Sequence, residues 1–358
     1  MSVKYYSGFI SYLAVAGMVV LLTACGSDSG GNSGGDSGAS VGSLSVGVTD
    51  LPATGGEIVC IHFTGITLHH SDGDLIQIPY DPSTYYDELD GCLDNIEPAI
   101  GDATNNAVAV SALQGELSVQ LMDTEVVKAG PYNWIRLDVD ETLSYVVDSE
   151  GQKDLRCPSC DGEQSGLKLN RGIVVPAGGE ANFIIDIELA KSLNKEPSGN
   201  YKLRPTLRLM DLAETGKIIG TVAESIISEM LPVSGMLTET DTGCKVYVYE
   251  GHSVVLDDNH ATDNVLTSAK VLYNAGATSY EYVAAYLPTD SEAGPTLYTV
   301  GLTCDFDDMD FDQNNDPLNL SGTGDDVIFT DGVVEGVGQE TDLVTGQTRE
   351  VHFLPLVI

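Results

Sequence analysis

Short runs in which apolar and polar residues alternate, or which are apolar throughout, recur from Leu44 to Leu354. They are rich in Val, Ile, Thr and Tyr and are separated by clusters of Gly, Asp, Asn and Pro, the pattern of strands joined by turns. In the first half this predicts strands at 44–48, 58–68, 134–139, 172–175, 182–187 and 201–209, with short helices at 107–113 and 189–193. A second cycle begins at 216–222 and continues through 245–249, 269–273, 280–287, 296–304, 327–329 and 351–354. No helical periodicity of about 10–15 residues lies between the strands, which argues against a parallel α/β sheet. The expected fold is therefore all-β, with two β-sandwich domains at residues 43–212 and 213–358.

The pattern ahead of the first strand is different. Residues 8–22 are apolar and follow Lys4, as in a secretory signal with a charged start and an apolar middle. As a helix rising about 1.5 Å per residue, this stretch covers roughly 22 Å, short of a hydrocarbon core of roughly 30 Å, so export is favoured over spanning. Leu22-Thr23-Ala24-Cys25 resembles the bacterial lipoprotein box, in which cleavage before the cysteine leaves a lipidated N-terminus. The resemblance implies a signal peptide at 1–24, lipidation of Cys25 and attachment to the membrane through that lipid. Gly26 in place of Asp resembles the signal for outer-membrane delivery in Gram-negative bacteria. Residues 25–42, rich in Gly and Ser, then form a flexible tether with an r.m.s. span of roughly 20–25 Å. Within it Gly38-Ala39-Ser40-Val41-Gly42 matches the hydrolase nucleophile elbow in letters only, because the strand before and the helix after are missing from the pattern.

Charge narrows the partners. The chain carries −38, and removal of residues 1–24, which hold Lys4 and no acid, makes it −39. Such a field repels nucleic acid, so no nucleic-acid partner is expected. With 42% hydrophobic residues there is still material for a packed core. Six cysteines remain besides Cys25, an even number in an exported chain, and disulfides are the expectation. Sequence order and the domain division suggest Cys60 with Cys92, Cys157 with Cys160, and Cys244 with Cys304, although six cysteines allow about fifteen pairings.

An ordered set of motifs carries a family resemblance. Leu44 to Pro52, Ile66-Thr67-Leu68-His69, Tyr132-Asn133-Trp134-Ile135-Arg136-Leu137, Gln164 to Leu169 and Gly199 to Pro205 occur in the order seen in the bacterial domain of unknown function 4382. The resemblance covers roughly residues 43–212 and implies an exported lipoprotein without an established activity. Cys157-Pro158-Ser159-Cys160 departs from the plainer loop expected before Gln164. The remainder resembles prealbumin-like or carbohydrate-binding-like sandwiches, by strand rhythm more than by distinctive residues.

Several constellations can carry chemistry. Asp308, Asp310 and Asp312 lie in the densest carboxylate run and provide hard oxygen ligands suited to Ca²⁺, although Gln313 and Asn319 break the EF-hand pattern. His62, His69 and His70 are close in sequence, but alternation and an eight-residue gap make them ordinary strand histidines. The CxxC spacing of Cys157 and Cys160 invites a thiol oxidoreductase reading, yet turn-rich flanks favour a structural disulfide. Tyr280, Tyr282 and Tyr286 share strand parity and suggest an exposed platform for sugar rings. Asp138 with Asp140, and Asp186 with Glu188, sit two apart and serve acid/base work only inside a cleft.

The expected function is a non-enzymatic, outer-membrane-anchored lipoprotein that binds or scaffolds a glycan or envelope protein. Alternatives are a carbohydrate-binding module in the C-terminal sandwich, Ca²⁺-dependent adhesion or assembly, and an envelope thiol oxidoreductase at Cys157 and Cys160. No cofactor is required, and Ca²⁺ is the one ion the residues suggest.

Overall fold

The computed structural model describes residues 40–50, 57–80, 92, 107–160, 166–230, 241–254, 256, 265–304, 329–330 and 338–354. Cys25 and the Asp308, Asp310 and Asp312 run lie outside them. The described chain is almost entirely strand. The first strands are β1 (Val41–Thr49), β2 (Ile58–His70), β3 (Leu75–Pro79), β4 (Ala107–Ala109), β5 (Val119–Lys128), β6 (Gly130–Asp148) and β7 (Gly151–Arg156). They are followed by β8 (Leu167–Leu169), β9 (Ile173–Val175), β10 (Glu180–Ile187), β11 (Leu193–Lys195), β12 (Tyr201–Leu203) and β13 (Leu207–Asp211). A single helical turn, α1 (Leu189–Ser192), separates β10 from β11.

Two sheets face each other across one core. The smaller has the order β13-β10-β1-β5, with β1 and β10 parallel. The larger runs β11-β12-β7-β6-β2-β3, with β4 added on β2 and with β8 and β9 on β6. Leu44, Val46 and Val48 from β1 meet Ile61, Phe63, Ile66 and Leu68 from β2 in a single apolar cluster. Alternation explains β1, where every second residue enters the core.

The later strands are β14 (Thr215–Val222), β15 (Asp241–Glu250), β16 (Val265–Asn274), β17 (Ser279–Pro288), β18 (Thr296–Thr303), β19 (Phe329–Thr330), β20 (Gln339–Leu343) and β21 (Thr348–Glu350). They form a third sheet in the order β19-β18-β15-β16-β17-β14-β21, with β20 beside β18. Helix α2 (Glu224–Met230) contributes Ile226 and Ile227 to the core against this sheet. Three disulfides are present, Cys60–Cys92, Cys157–Cys160 and Cys244–Cys304, the pairing expected from sequence order.

Three expectations require correction. Residues 107–113 are not a helix: 107–109 form β4 against β2, and Val110–Ala112 make one 3₁₀ turn. The apolar Ala-Val run fits either state, and pairing with an existing strand decides between them. The expected strand 201–209 is two strands, interrupted at Arg204-Pro205-Thr206, where Pro205 has no N–H to give to a ladder. Residues 351–354 contain only an isolated bridge, at Phe353 to Val222.

Candidate functional site

Strand β6 extends over nineteen residues and pairs along most of the length of β2. From Trp134 to Asp138 its alternation sends Ile135 and Leu137 into the core and Trp134, Arg136 and Asp138 to the opposite face. The register sets His69 opposite Trp134, Thr67 opposite Arg136, and Gly65 opposite Asp138. A Cβ on Gly65 would collide with the Ile78 carbonyl of β3, so glycine is what lets β3 approach.

The resulting polar face is closely organised. Arg136 Nε donates to Asp138 Oδ1 at 2.6 Å, and Arg136 Nη2 donates to Thr67 Oγ1 at 2.9 Å. Thr67 Oγ1 in turn donates to Asp138 Oδ2 at 2.7 Å, closing a ring of three side chains. Gln77 of β3 adds a fourth contact, Nε2 to Asp138 Oδ2 at 3.4 Å. Gly166 makes room for the chain leading into β8, since a Cβ there would meet the Leu137 carbonyl and the Arg136 stem. Both charges of the Arg136–Asp138 pair are buried, so their hydrogen bonds are what make the burial tolerable.

Trp134 sits at the edge of this network and is half-buried. Its ring stacks with His69 at a centroid separation of 5.1 Å and an interplanar angle of 11°. Lys168 Nζ lies 4.2 Å from the same ring centroid, well inside the roughly 6 Å range of a cation–π contact. Lys168 is exposed and also lines a groove of about 360 Å³. Leu169, Asn170 and Arg171 form one wall of that groove, and Pro205, Leu207, Arg208 and Leu209 the other. Arg171 Nη1 donates to the Leu209 carbonyl at 3.0 Å, which fixes the guanidinium across the groove while leaving its other donors directed elsewhere.

A second polar cluster is buried. Asp50 follows β1, and Asp186 lies in the adjacent parallel strand opposite Thr49, with Glu188 two residues on. Asp50 Oδ1 accepts from the Leu189 N–H at 3.0 Å. Burial pushes the Asp50 carboxyl well above the usual carboxylate range; Asp186 and Glu188 add to the rise, while the Leu189 N–H and Lys270 oppose it. Arg208 Nη2 donates to Asp186 Oδ2 at 2.9 Å, and its Nη1 donates to the Leu266 carbonyl of β16 at 2.8 Å. The cavity beside these groups is about 20 Å³, enough for one water and too small for a substrate.

The residues singled out from sequence fare differently. Tyr280, Tyr282 and Tyr286 do not form a platform. Tyr282 is 2% exposed and donates to the Val351 carbonyl at 2.7 Å; Tyr280 packs against Tyr273; and Tyr286 reaches the Glu116 carbonyl at 2.8 Å. A bulge causes the separation. Tyr286 has φ of 54° and the β14–β17 register shifts between Gly216 and Ile218, so the parity shared in sequence is reset before Tyr286.

Cys157 and Cys160 close a turn in which the Cys160 N–H donates to the Cys157 carbonyl at 2.8 Å, and both belong to the core cluster. Their sulfurs are packed away from any substrate disulfide. Asp138 is committed to Arg136, and Asp140 accepts from the Thr142 N–H and hydroxyl at 2.9 and 2.7 Å, so this pair serves structure. His62 and His70 are buried, while His69 stacks on Trp134; among the described residues no group of His, Cys, Asp and Glu is placed to hold a metal. The Trp134–Lys168–Arg171 face was not anticipated. Two signals for it exist in the sequence: the polar alternation Trp134, Arg136, Asp138, and a net charge of +3 over residues 168–208 in a chain of −38.

Among the described residues no helix is long and apolar enough to cross a membrane. No curated protein matches the chain. Among solved structures, a candidate cell adhesion protein from Bacteroides fragilis NCTC 9343 is similar at 10% identity, over 87% of this chain and 91% of that one, with a TM-score of 0.17. A candidate adhesin from Bacteroides ovatus ATCC 8483 is similar at 9% identity over 89% and 88% of the two chains, with a TM-score of 0.16. Likenesses this slight say nothing of what the chain binds. The family model of the domain of unknown function DUF4382 matches residues 41–205, the strands that carry Trp134, Arg136 and Lys168. Over those residues, and not beyond them, the chain is similar to the DUF4382 family.

Proposed function

We propose that the protein is an exported, non-enzymatic binding module, anchored to the outer membrane through lipidated Cys25, that captures carbohydrate on the outer face of β6. The observation that carries this reading is Trp134, half-buried with His69 and Lys168 against its ring, beside Thr67, Arg136 and Asp138, which are locked by hydrogen bonds. A rigid, amphipathic aromatic residue beside a fixed polar network is a surface built for recognition, because little side-chain entropy remains to be lost on binding. The same groups are poor candidates for catalysis. The Asp138 carboxylate beside Trp134 is already held by three donors.

A glycan array probed with the detergent-solubilised full chain tests the reading. Capture on a subset of glycans should fall about tenfold or more in Trp134→Ala, the loss expected when a central aromatic contact is removed, while the melting curve stays in place. Silence across the array, or capture indifferent to Trp134→Ala, overturns it.

A further inference from the structure

The groove beside Trp134 differs in charge from the rest of the molecule. Residues 168–208 hold seven lysines and arginines against four acids, whereas the whole chain has sixteen against fifty-four. Two cations of this stretch are already paired: Arg208, which also lines the groove, with Asp186, and Lys195 with Asp148 at 3.0 Å. Lys168 and Arg171 are exposed, face the groove and form no ion pair among the described residues. No carboxylate is among the groove's lining residues.

From this we infer that the groove is a subsite for a uronate-type sugar, a ring bearing one carboxylate, an inference that rests on the carbohydrate-binding reading of the Trp134 face. Three features match that chemistry. Arg171, held through Nη1 on the Leu209 carbonyl, offers its remaining N–H donors in a plane suited to a carboxylate. Pro205 and Leu207 provide an apolar surface for the C–H face of a ring, and the exposed Asn170 amide both donates to and accepts from hydroxyls. Lys168 joins the groove to the indole, so occupation of one is felt at the other.

The apolar floor of Pro205 and Leu207 suits a sugar ring, which presents a C–H face beside its carboxylate, better than a run of acidic peptide side chains, which presents none. The chain's large negative charge does not prevent the interaction. At about 0.1 M salt the Debye length is about 10 Å, so Lys168 and Arg171 dominate the potential inside the groove while more distant acids are screened.

The experiment uses the fluorescence of Trp134, the single tryptophan of the chain. The full chain in detergent is titrated with trigalacturonate, with a neutral trisaccharide of matched size and with poly-glutamate. Trigalacturonate should produce a saturable change with an affinity at least tenfold above that of the neutral sugar. Lys168→Gln and Arg171→Gln should each weaken it about tenfold, the scale of one charge-assisted hydrogen bond, with melting temperatures unchanged. Gln at 171 keeps an amide donor for Leu209, and Lys168 is exposed, so neither variant is expected to unfold.

Equal response to the neutral sugar, or indifference to both substitutions, overturns the uronate assignment while leaving carbohydrate binding at Trp134 intact. Tighter binding of poly-glutamate than of trigalacturonate reassigns the groove to acidic peptide and overturns it as well. No response to any of the three probes overturns the inference, and the broader reading then stands or falls on the array and Trp134→Ala alone.

Discussion

At the end of β1 the Asp50 carboxyl is buried beside Asp186 and Glu188, with Arg208 and Lys270 as the neighbouring cations. Burial raises its proton affinity in the folded chain above the value of about 3.9 that it has unfolded. Between those two values the folded state holds a proton that the unfolded state has released, so this site makes stability fall as pH rises. For a single site the slope approaches about 1.4 kcal/mol per pH unit. Asp50→Asn keeps the Oδ1 acceptor for the Leu189 N–H and cannot ionise. Its melting temperature relative to the parent protein should therefore climb as the pH rises above about 4 and level off once the folded carboxyl has ionised. A difference that stays flat throughout would show that Asp50 does not titrate as its burial requires. Sequence alone marks Asp186 and Glu188 as a pair two residues apart. It does not bring Asp50 to them, because that contact spans more than 130 residues and is made by the parallel pairing of β1 with β10.

Among the elements, β6 organises the site because a long strand with unbroken alternation between 134 and 138 can serve the core on one side and recognition on the other. Its Trp134–Val139 segment is legible from period two alone. The extension to Gly130 and Asp148 is not, since bulges opposite β2 change which residues point inward. Covalent links also act at this scale. Cys244–Cys304 joins β15 to the end of β18 across a separation of 60 residues, whereas Cys157–Cys160 spans 3. In the chain-entropy model the first constrains the unfolded chain by about 4 kcal/mol and the second by about 1.6 kcal/mol. Replacing Cys244 and Cys304 by Ala should lower the denaturant midpoint by more than twice the shift caused by replacing Cys157 and Cys160. Equal shifts would mean that native packing around the sulfurs, and not loop closure, governs their contribution.

At the scale of the whole molecule, Arg208 is one side chain that joins the first thirteen strands to the later sheet, through Asp186 on one side and the Leu266 carbonyl on the other. Lys217 with Glu116, and Tyr286 with the Glu116 carbonyl, make further links of the same kind. Removing the cation from a largely buried, hydrogen-bonded pair typically costs about 2–5 kcal/mol. Arg208→Met should therefore destabilise the protein by that amount and split a single calorimetric transition into two. One unsplit transition at an unchanged temperature would show that Arg208 does not couple the two sets of strands.

The sequence by itself determined the all-β class, the positions of most strands and the DUF4382 resemblance, because alternation, turn residues and ordered motifs are properties of neighbouring positions. Tertiary structure alone decided which faces those strands present. A bulge at Tyr286 broke a parity that looked continuous, pairing with β2 turned an apparent helix at 107–109 into a strand, and the approach of β8 to the Pro205–Leu209 stretch created a cationic groove from residues nearly forty positions apart. The reason is physical: periodicity records what a segment can bury, whereas the partner that buries it is chosen by contacts distant in the chain.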